Sequence, residues 1–339
     1  MVNAVLPEAL SQELRAEVER FVANLPATAS CVLTGSIVEG LGNPNSDLDL
    51  YMISEAGSPG LASSFGLRRS TYVDCEYLTL TSLEQLCERV AGRDWSDVDS
   101  VTLKDIDRYY RLAIGVPVAV TPAAAATLAR FTKASAARAL TRHALLRAVE
   151  HLAQAAYLSA TGPDREADLL LREAALWRAT WRLAGVGEGY ASLKWAGEKA
   201  ARHYGRDSAE FHDLLDGYLR PTGSLDARIR EFRTTLTVPP ELTAALEARS
   251  CRLAERVQVL GADGKAHLMK PGESIVRIDS VVASVCRELA AGRSWRAATD
   301  RTAASLRISP IELRAALWCE TRHLRTHGYL AVTNQEGCL

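Results

Sequence analysis

The stretch CVLTGSIVEGLGNPNSDLDLYMIS, residues 31–54, decides the fold. Its two ends, "SCVLTGS" and "LDLYMIS", are apolar runs that each read as a buried strand. Between them stand Gly35-Ser36, a segment of small residues, and Ser46-Asp47-Leu48-Asp49. Side chains at i and i+2 of a strand share a face, so Asp47 and Asp49 are expected to present two carboxylates side by side. Two ionised carboxylates in that position need a cation. Hard oxygen donors suit Mg²⁺, which is commonly held by one or two carboxylates together with substrate phosphates. Gly35 lets the backbone come close to a phosphate, and Ser36 with the amides that follow can donate hydrogen bonds to it. The stretch therefore reads as a site for a metal-bound nucleoside triphosphate.

Working outward, "STYVDCEYLTL" at 70–80 reads as a third strand, rich in β-branched and aromatic residues. It sets Asp74 and Glu76 on one face, and either can supply a third carboxylate. Leu10, Leu14, Val18, Phe21 and Leu25 recur at helical spacing until Pro26 ends the run. In "TSLEQLCERV", Thr81 with Glu84 three residues on predicts a capping box and a helix. Residues 1–122 thus read as helix, strand, turn, strand, loop, strand, helix, an α+β arrangement.

Composition then shifts to Ala, Leu and Arg, and residues 123–248 read as a helical bundle with Gly185 and Gly187 closing a long helix. In that bundle Trp177 and Trp181 are expected in the core, and His143 and His151 on a polar helix face. Residues 249–339 begin with a hairpin signal, "VQVL" and "AHLM" around Asp263-Gly264. A strand "SIVRID", three helical stretches and a short "YLAV" follow, a winged-helix-like unit. The whole is expected to be an α+β multidomain protein.

The formal net charge of −1 over 339 residues leaves no global basic field for holding long nucleic acid. Seven scattered cysteines without a Cys-x-x-Cys pair argue against a zinc cage or a disulfide framework, and for a reducing cytoplasm. No apolar run reaches the length of a membrane span, and no signal segment is expected.

Gly-Ser, then Asp-x-Asp, then an acid on a later strand resembles the nucleotidyltransferase superfamily of DNA polymerase β. The nearest likeness is to the antibiotic (aminoglycoside and lincosamide) nucleotidyltransferases, in which a helical domain follows the catalytic one. The resemblance implies that Asp47 and Asp49 bind a pair of Mg²⁺ ions. It gives the third acid, Asp74 or Glu76, a metal or general-base role, and makes ATP the co-substrate. Gly35, Ser36 and Ser46 would then line the phosphate site. A lysine of the second domain commonly contacts the triphosphate in that family; Lys194, anchored by Trp195, is preferred here to Lys199. "DRYYRLAIGVPV" resembles the segment closing such catalytic domains, with Arg111 reaching a phosphate and Tyr109 and Tyr110 packing. Glu39 is expected to be a solvated loop residue.

Residues 249–339 resemble the PqqD-like fold, the recognition element of ribosomal peptide biosynthesis. That likeness implies a leader peptide added along residues 274–279, beside the helix at 310–326. Glu312 and Glu320 on that helix disfavour a DNA-reading role. Together the resemblances imply transfer of a nucleoside monophosphate, AMP from ATP, onto a hydroxyl of a natural product or ribosomal peptide. The alternatives are a nucleotidyltransferase acting on tRNA or a protein, and an inactive peptide-binding module.

Overall fold

A computed structural model describes residues 12–23, 25–43, 46–55, 63–68, 71–91, 101–162, 164–219, 221–262 and 265–333. The expected helix residue Leu10 and the Asp263-Gly264 turn lie outside the described residues. By internal packing the chain divides into two units, Met1–Ala144 with Ala179–His212, and Leu145–Arg178 with Asp213–Leu339.

In the first unit, α1 (Gln12–Ala23) leads into β1 (Ala29–Thr34), the single helical turn α2 (Gly35–Val38) and β2 (Leu48–Ser54). Then come β3 (Ser63–Arg68), β4 (Thr71–Thr79), α3 (Leu80–Ala91), α4 (Leu103–Ile114) and β5 (Val116–Ala119). The five strands form one mixed sheet in the order β3-β4-β2-β1-β5. β2 and β4 run parallel, and the other pairings are antiparallel.

Both faces of this sheet are covered, which is why its central strands read as near-continuous apolar runs. Cys31, Leu33, Leu48, Leu50, Val73 and Cys75 point to one face and pack with Val18 of α1. Val32, Tyr51, Ile53 and Leu78 point to the other and pack with α3 and α4 through Leu83, Leu86, Ile106 and Tyr109. Strand alternation therefore assigns Asp49, Asp74 and Glu76 to the face beneath α3 and α4.

Further helices are α5 (Pro122–Leu128), α6 (Lys133–Thr161), α7 (Asp164–Gly185), α8 (Ala196–Tyr204), α9 (Ala209–Leu219), α10 (Leu225–Thr235) and α11 (Pro240–Ala248). No strand interrupts them among the described residues, as the Ala- and Leu-rich composition predicts. The second unit then carries β6 (Cys251–Leu253), β7 (Gln258–Ala262), β8 (Lys265–Met269) and β9 (Val276–Ile278). It ends with α12 (Ser280–Ala290), α13 (Trp295–Leu306), α14 (Pro310–Glu320), α15 (Arg322–Thr326) and β10 (Leu330–Val332). The expected hairpin is present as β7 and β8, in a three-stranded sheet with β9 at one edge. β10 pairs instead with β6.

Three expectations need correction. The Gly35-Ser36 turn is the first half of a helical turn, with Glu39 N–H donating to Gly35 O at 3.1 Å. β3 was not expected at all. The start of α3 is capped two residues earlier than expected: Ser82 N–H donates to Thr79 Oγ1 and Thr79 N–H to Ser82 Oγ, each at 3.0 Å. Thr79→Val should therefore cost about 1 kcal/mol of stability, the usual loss of a helix cap, whereas Thr81→Val should cost little. Urea denaturation of both variants checks this, and a larger loss at Thr81 would return the cap to it.

Candidate active site

Asp49 sits on β2 with Asp74 of β4 as its register partner on one side and Thr34 of β1 on the other. Asp47 immediately precedes β2 and is exposed. The sheet face that carries Asp49, Asp74 and Glu76 must also bury Tyr51, Ile53 and Leu78, so the acids lie at the margin of a dry surface. α4 brings the compensating charge. Its Ile106, Tyr109, Tyr110 and Leu112 are buried, and Thr102 with Asp105 forms its capping box.

The polar side chains of α4 meet the acids. Arg108 pairs with Glu76. Arg111 Nη1 donates to Asp49 Oδ1 at 3.0 Å, and its Nε lies 2.8 Å from Asp107 Oδ2. Thr34 Oγ1 donates to Arg111 O at 2.7 Å and so fixes the helix end to β1. Gly35 has a φ of +83°, and a Cβ there would overlap the Asp49 carboxylate. Only glycine lets the chain leave β1 this close to Asp49.

Electrostatics follow from that crowding. Burial pushes the Asp49 carboxyl up from its ordinary value; Arg111 opposes this, while the Asp74 and Asp47 charges add to it. Asp74 is raised by burial and by the Glu76 and Asp47 charges, again against Arg111. Asp107 is raised by burial, with Arg111 opposing. Burial works against the Arg111 charge, but Asp107 and Asp49 outweigh it and hold the guanidinium charged.

The structure thus brings together Gly35, Asp49, Asp74, Glu76 and Arg111, with Asp47 close enough to raise its neighbours. Ser36 is buried, and Ser46 Oγ accepts from Asn43 N–H at 2.9 Å, closing the loop before β2. Lys194 is exposed, its ammonium 5.3 Å from the centre of the Trp195 ring. The buried cation of that stretch is Lys199, whose Nζ donates to Tyr190 O at 2.6 Å.

Glu39 is no solvated loop residue. It is 6% exposed in its side chain, accepts from Tyr110 Oη at 2.8 Å and pairs with Arg202 at 2.7 Å. Arg202 also pairs with Glu188. His143 is likewise buried rather than on a polar face, while Trp177 is in the core as expected. Asp107 and Arg108 were missed, although "DIDRYYR" displays the charge spacing of their helix.

The chemistry of the carboxylates suits a hard divalent cation, and the missing Cβ of Gly35 leaves its place to the Asp49 carboxylate. In the present arrangement no three His, Cys, Asp or Glu side chains converge on a metal position among the described residues. Asp49 is turned to Arg111 instead.

Burial lowers the Lys199 ammonium from 10.5 to about 8, with Glu188 and Glu39 partly offsetting it. Below pH 8 folded and unfolded chains both hold the proton, and the cost of burying the charge is present in full. Between 8 and 10.5 the folded chain releases the proton first, so that cost is relieved as the pH rises. Wild type should accordingly gain on Lys199→Met by up to about 3 kcal/mol across this window. Denaturant unfolding of both proteins against pH tests it; a difference that does not change with pH refutes the assignment.

Residues 13–109 match the model of a family described as nucleotidyltransferase domain. The match runs from α1 to Tyr109 on α4 and so spans Gly35, Ser36, Asp47, Asp49, Asp74 and Glu76, ending just before Arg111. No curated protein matches the chain. No helix among the described residues is long and apolar enough to cross a membrane. The crowded acids on β2 and β4 therefore lie in the segment that matches the nucleotidyltransferase-domain model, and that match supports a general nucleotidyl-transfer activity, which implies a nucleotide substrate.

Proposed function

We propose that the protein catalyses Mg²⁺-dependent transfer of a nucleoside monophosphate, AMP from ATP, onto a hydroxyl of a natural-product or ribosomal-peptide acceptor. The observation that carries the reading is the register of Asp49 with Asp74 on adjacent parallel strands, directly beside a glycine that only a backbone approach explains. Asp47, Asp49 and Asp74 would hold the metal. When bound, the divalent ions would neutralise phosphate charge and ease loss of the acceptor proton.

Each residue then has a task. The Gly35 and Ser36 segment binds the triphosphate through its backbone, and Arg111 and Lys194 supply positive charge to it. Asp74 takes the proton from the acceptor hydroxyl. A bond forms from the acceptor oxygen to the α-phosphorus, and the bond from that phosphorus to the bridging oxygen breaks. Pyrophosphate leaves. Asp74 is preferred to Glu76 because Glu76 is already paired with Arg108, while Asp74 stands next to Asp49.

In this reading residues 1–122 are catalytic, 123–248 form a helical domain of the antibiotic-nucleotidyltransferase kind, and 249–339 form a PqqD-like recognition unit. The support for a peptide partner is that β9 is an edge strand, with Ile275 beside it 60% exposed. Such an edge offers main-chain hydrogen bonds to an added strand. A labelled leader peptide should bind the full-length protein by fluorescence polarisation; failure of peptides encoded near it to bind leaves the small-molecule acceptor.

Asp49→Asn should keep the fold and remove Mg²⁺-dependent pyrophosphate release from ATP, and wild-type turnover in that variant would sink the reading. Asp74→Ala should lose about 10²- to 10⁴-fold, the usual range for a general base, and Glu76→Ala far less. The reverse order would move the role to Glu76. Mass spectrometry of candidate acceptors after incubation with ATP and Mg²⁺ identifies the product.

A further inference from the structure

We propose that Arg111 is a built-in counter-ion for Asp49, a positioning residue that holds the carboxylate until metal and triphosphate arrive together. The inference rests on the metal–nucleotide reading of this site and adds a coupling between the two ligands. Arg111 lies outside the matched family segment, so the proposal depends on this chain's own geometry.

The two oxygens of Asp49 have different neighbours. Oδ2 faces the Gly35 backbone, and Oδ1 accepts from Arg111 Nη1 at 3.0 Å. A cation that uses Oδ1 must displace the guanidinium. The pair is only partly screened, with side-chain exposures of 23% for Arg111 and 18% for Asp49. Displacement is therefore opposed by more than a surface ion pair would supply.

The guanidinium can nonetheless let go without losing its charge partner. Its Nε lies 2.8 Å from Asp107 Oδ2, one helical turn back, and Asp107 Oδ1 is a buried acceptor with no hydrogen-bond donor among the described residues. The face of Tyr190 lies 5.8 Å from Arg111 Cζ. The backbone stays put because Thr34 Oγ1 donates to Arg111 O. Release is thus a side-chain rotation between two anionic partners.

Such competition makes the ligands cooperative. Metal alone must drive the guanidinium back onto Asp107, which it already contacts. A triphosphate gives the released guanidinium new anionic oxygens, so nucleotide strengthens metal binding and metal strengthens nucleotide binding by the same factor.

The test is binding of Mn²⁺, followed by the electron paramagnetic resonance of the free ion, with and without a non-hydrolysable ATP analogue. Arg111→Met should bind Mn²⁺ about tenfold more tightly than wild type in the absence of nucleotide, the effect of removing one partly buried competing ion pair. Arg111→Lys, which keeps a cation, should remain close to wild type. Arg108→Met, which removes an equal charge paired with Glu76, should change Mn²⁺ affinity little. Circular dichroism establishes that each variant is folded.

If Arg111→Met binds Mn²⁺ no more tightly than wild type, or Arg108→Met tightens it equally, the counter-ion role is overturned. The metal reading survives that result provided Asp49→Asn still weakens Mn²⁺ binding in the presence of the analogue. If no variant binds Mn²⁺ with or without analogue beyond what the analogue carries itself, the metal reading falls and the inference with it.

Discussion

Like charge on one sheet face is the constraint to which the first unit answers. Asp49 and Asp74 are register partners on parallel neighbours, which places their backbones about 4.8 Å apart. Two full charges about 5 Å apart at an effective dielectric of about 20 repel by about 3 kcal/mol. The same face buries Tyr51, Ile53 and Leu78, so water cannot be admitted freely to relieve the repulsion. α4 resolves the conflict. Its apolar stripe completes the core, and its arginines arrive over the acids.

Gly35 shows how tightly this arrangement is drawn. β1 must end beside Asp49, because Thr34 is that residue's register partner. The next residue then turns with φ +83° against the carboxylate, and any side chain would strike it. A site that only needed a flexible loop would not demand this position. Close backbone approach here serves the carboxylate first, and what binds beside it inherits the geometry.

The legible parts of the sequence were those where one local pattern carried the answer. β1 and β2 announced themselves because each is buried on both faces, β4 through its β-branched and aromatic residues, and the shared facing of Asp74 and Glu76 follows from strand alternation alone. β3 escaped because SSFGLR is short and its alternation weak. The α3 cap was misplaced because Thr79, Thr81 and Ser82 compete within four residues, and only the backbone decides among them. Glu39 was unreadable for a different reason. Its partner Arg202 stands 163 residues away, and no spacing rule reaches that far. The burial of Lys199, in contrast to the exposed Lys194, met the same limit, since only tertiary packing reveals it.

Arg108 and Arg111 divide the acids unequally, and that inequality matters more than the number of charges. Arg108 is paired with Glu76 and sits against it across a half-buried surface. Arg111 is shared: one edge of its fork serves Asp49, and the other serves Asp107. A shared guanidinium satisfies neither carboxylate bidentately, which is the geometry in which arginine binds most strongly. Glu76 is consequently committed to the scaffold, while Asp49 is held by a partner that has somewhere else to go. Of the two arginine-paired acids on this face, the one nearest the glycine approach is thus also the one whose partner is shared, an ordering that the proposed exchange of counter-ion would require.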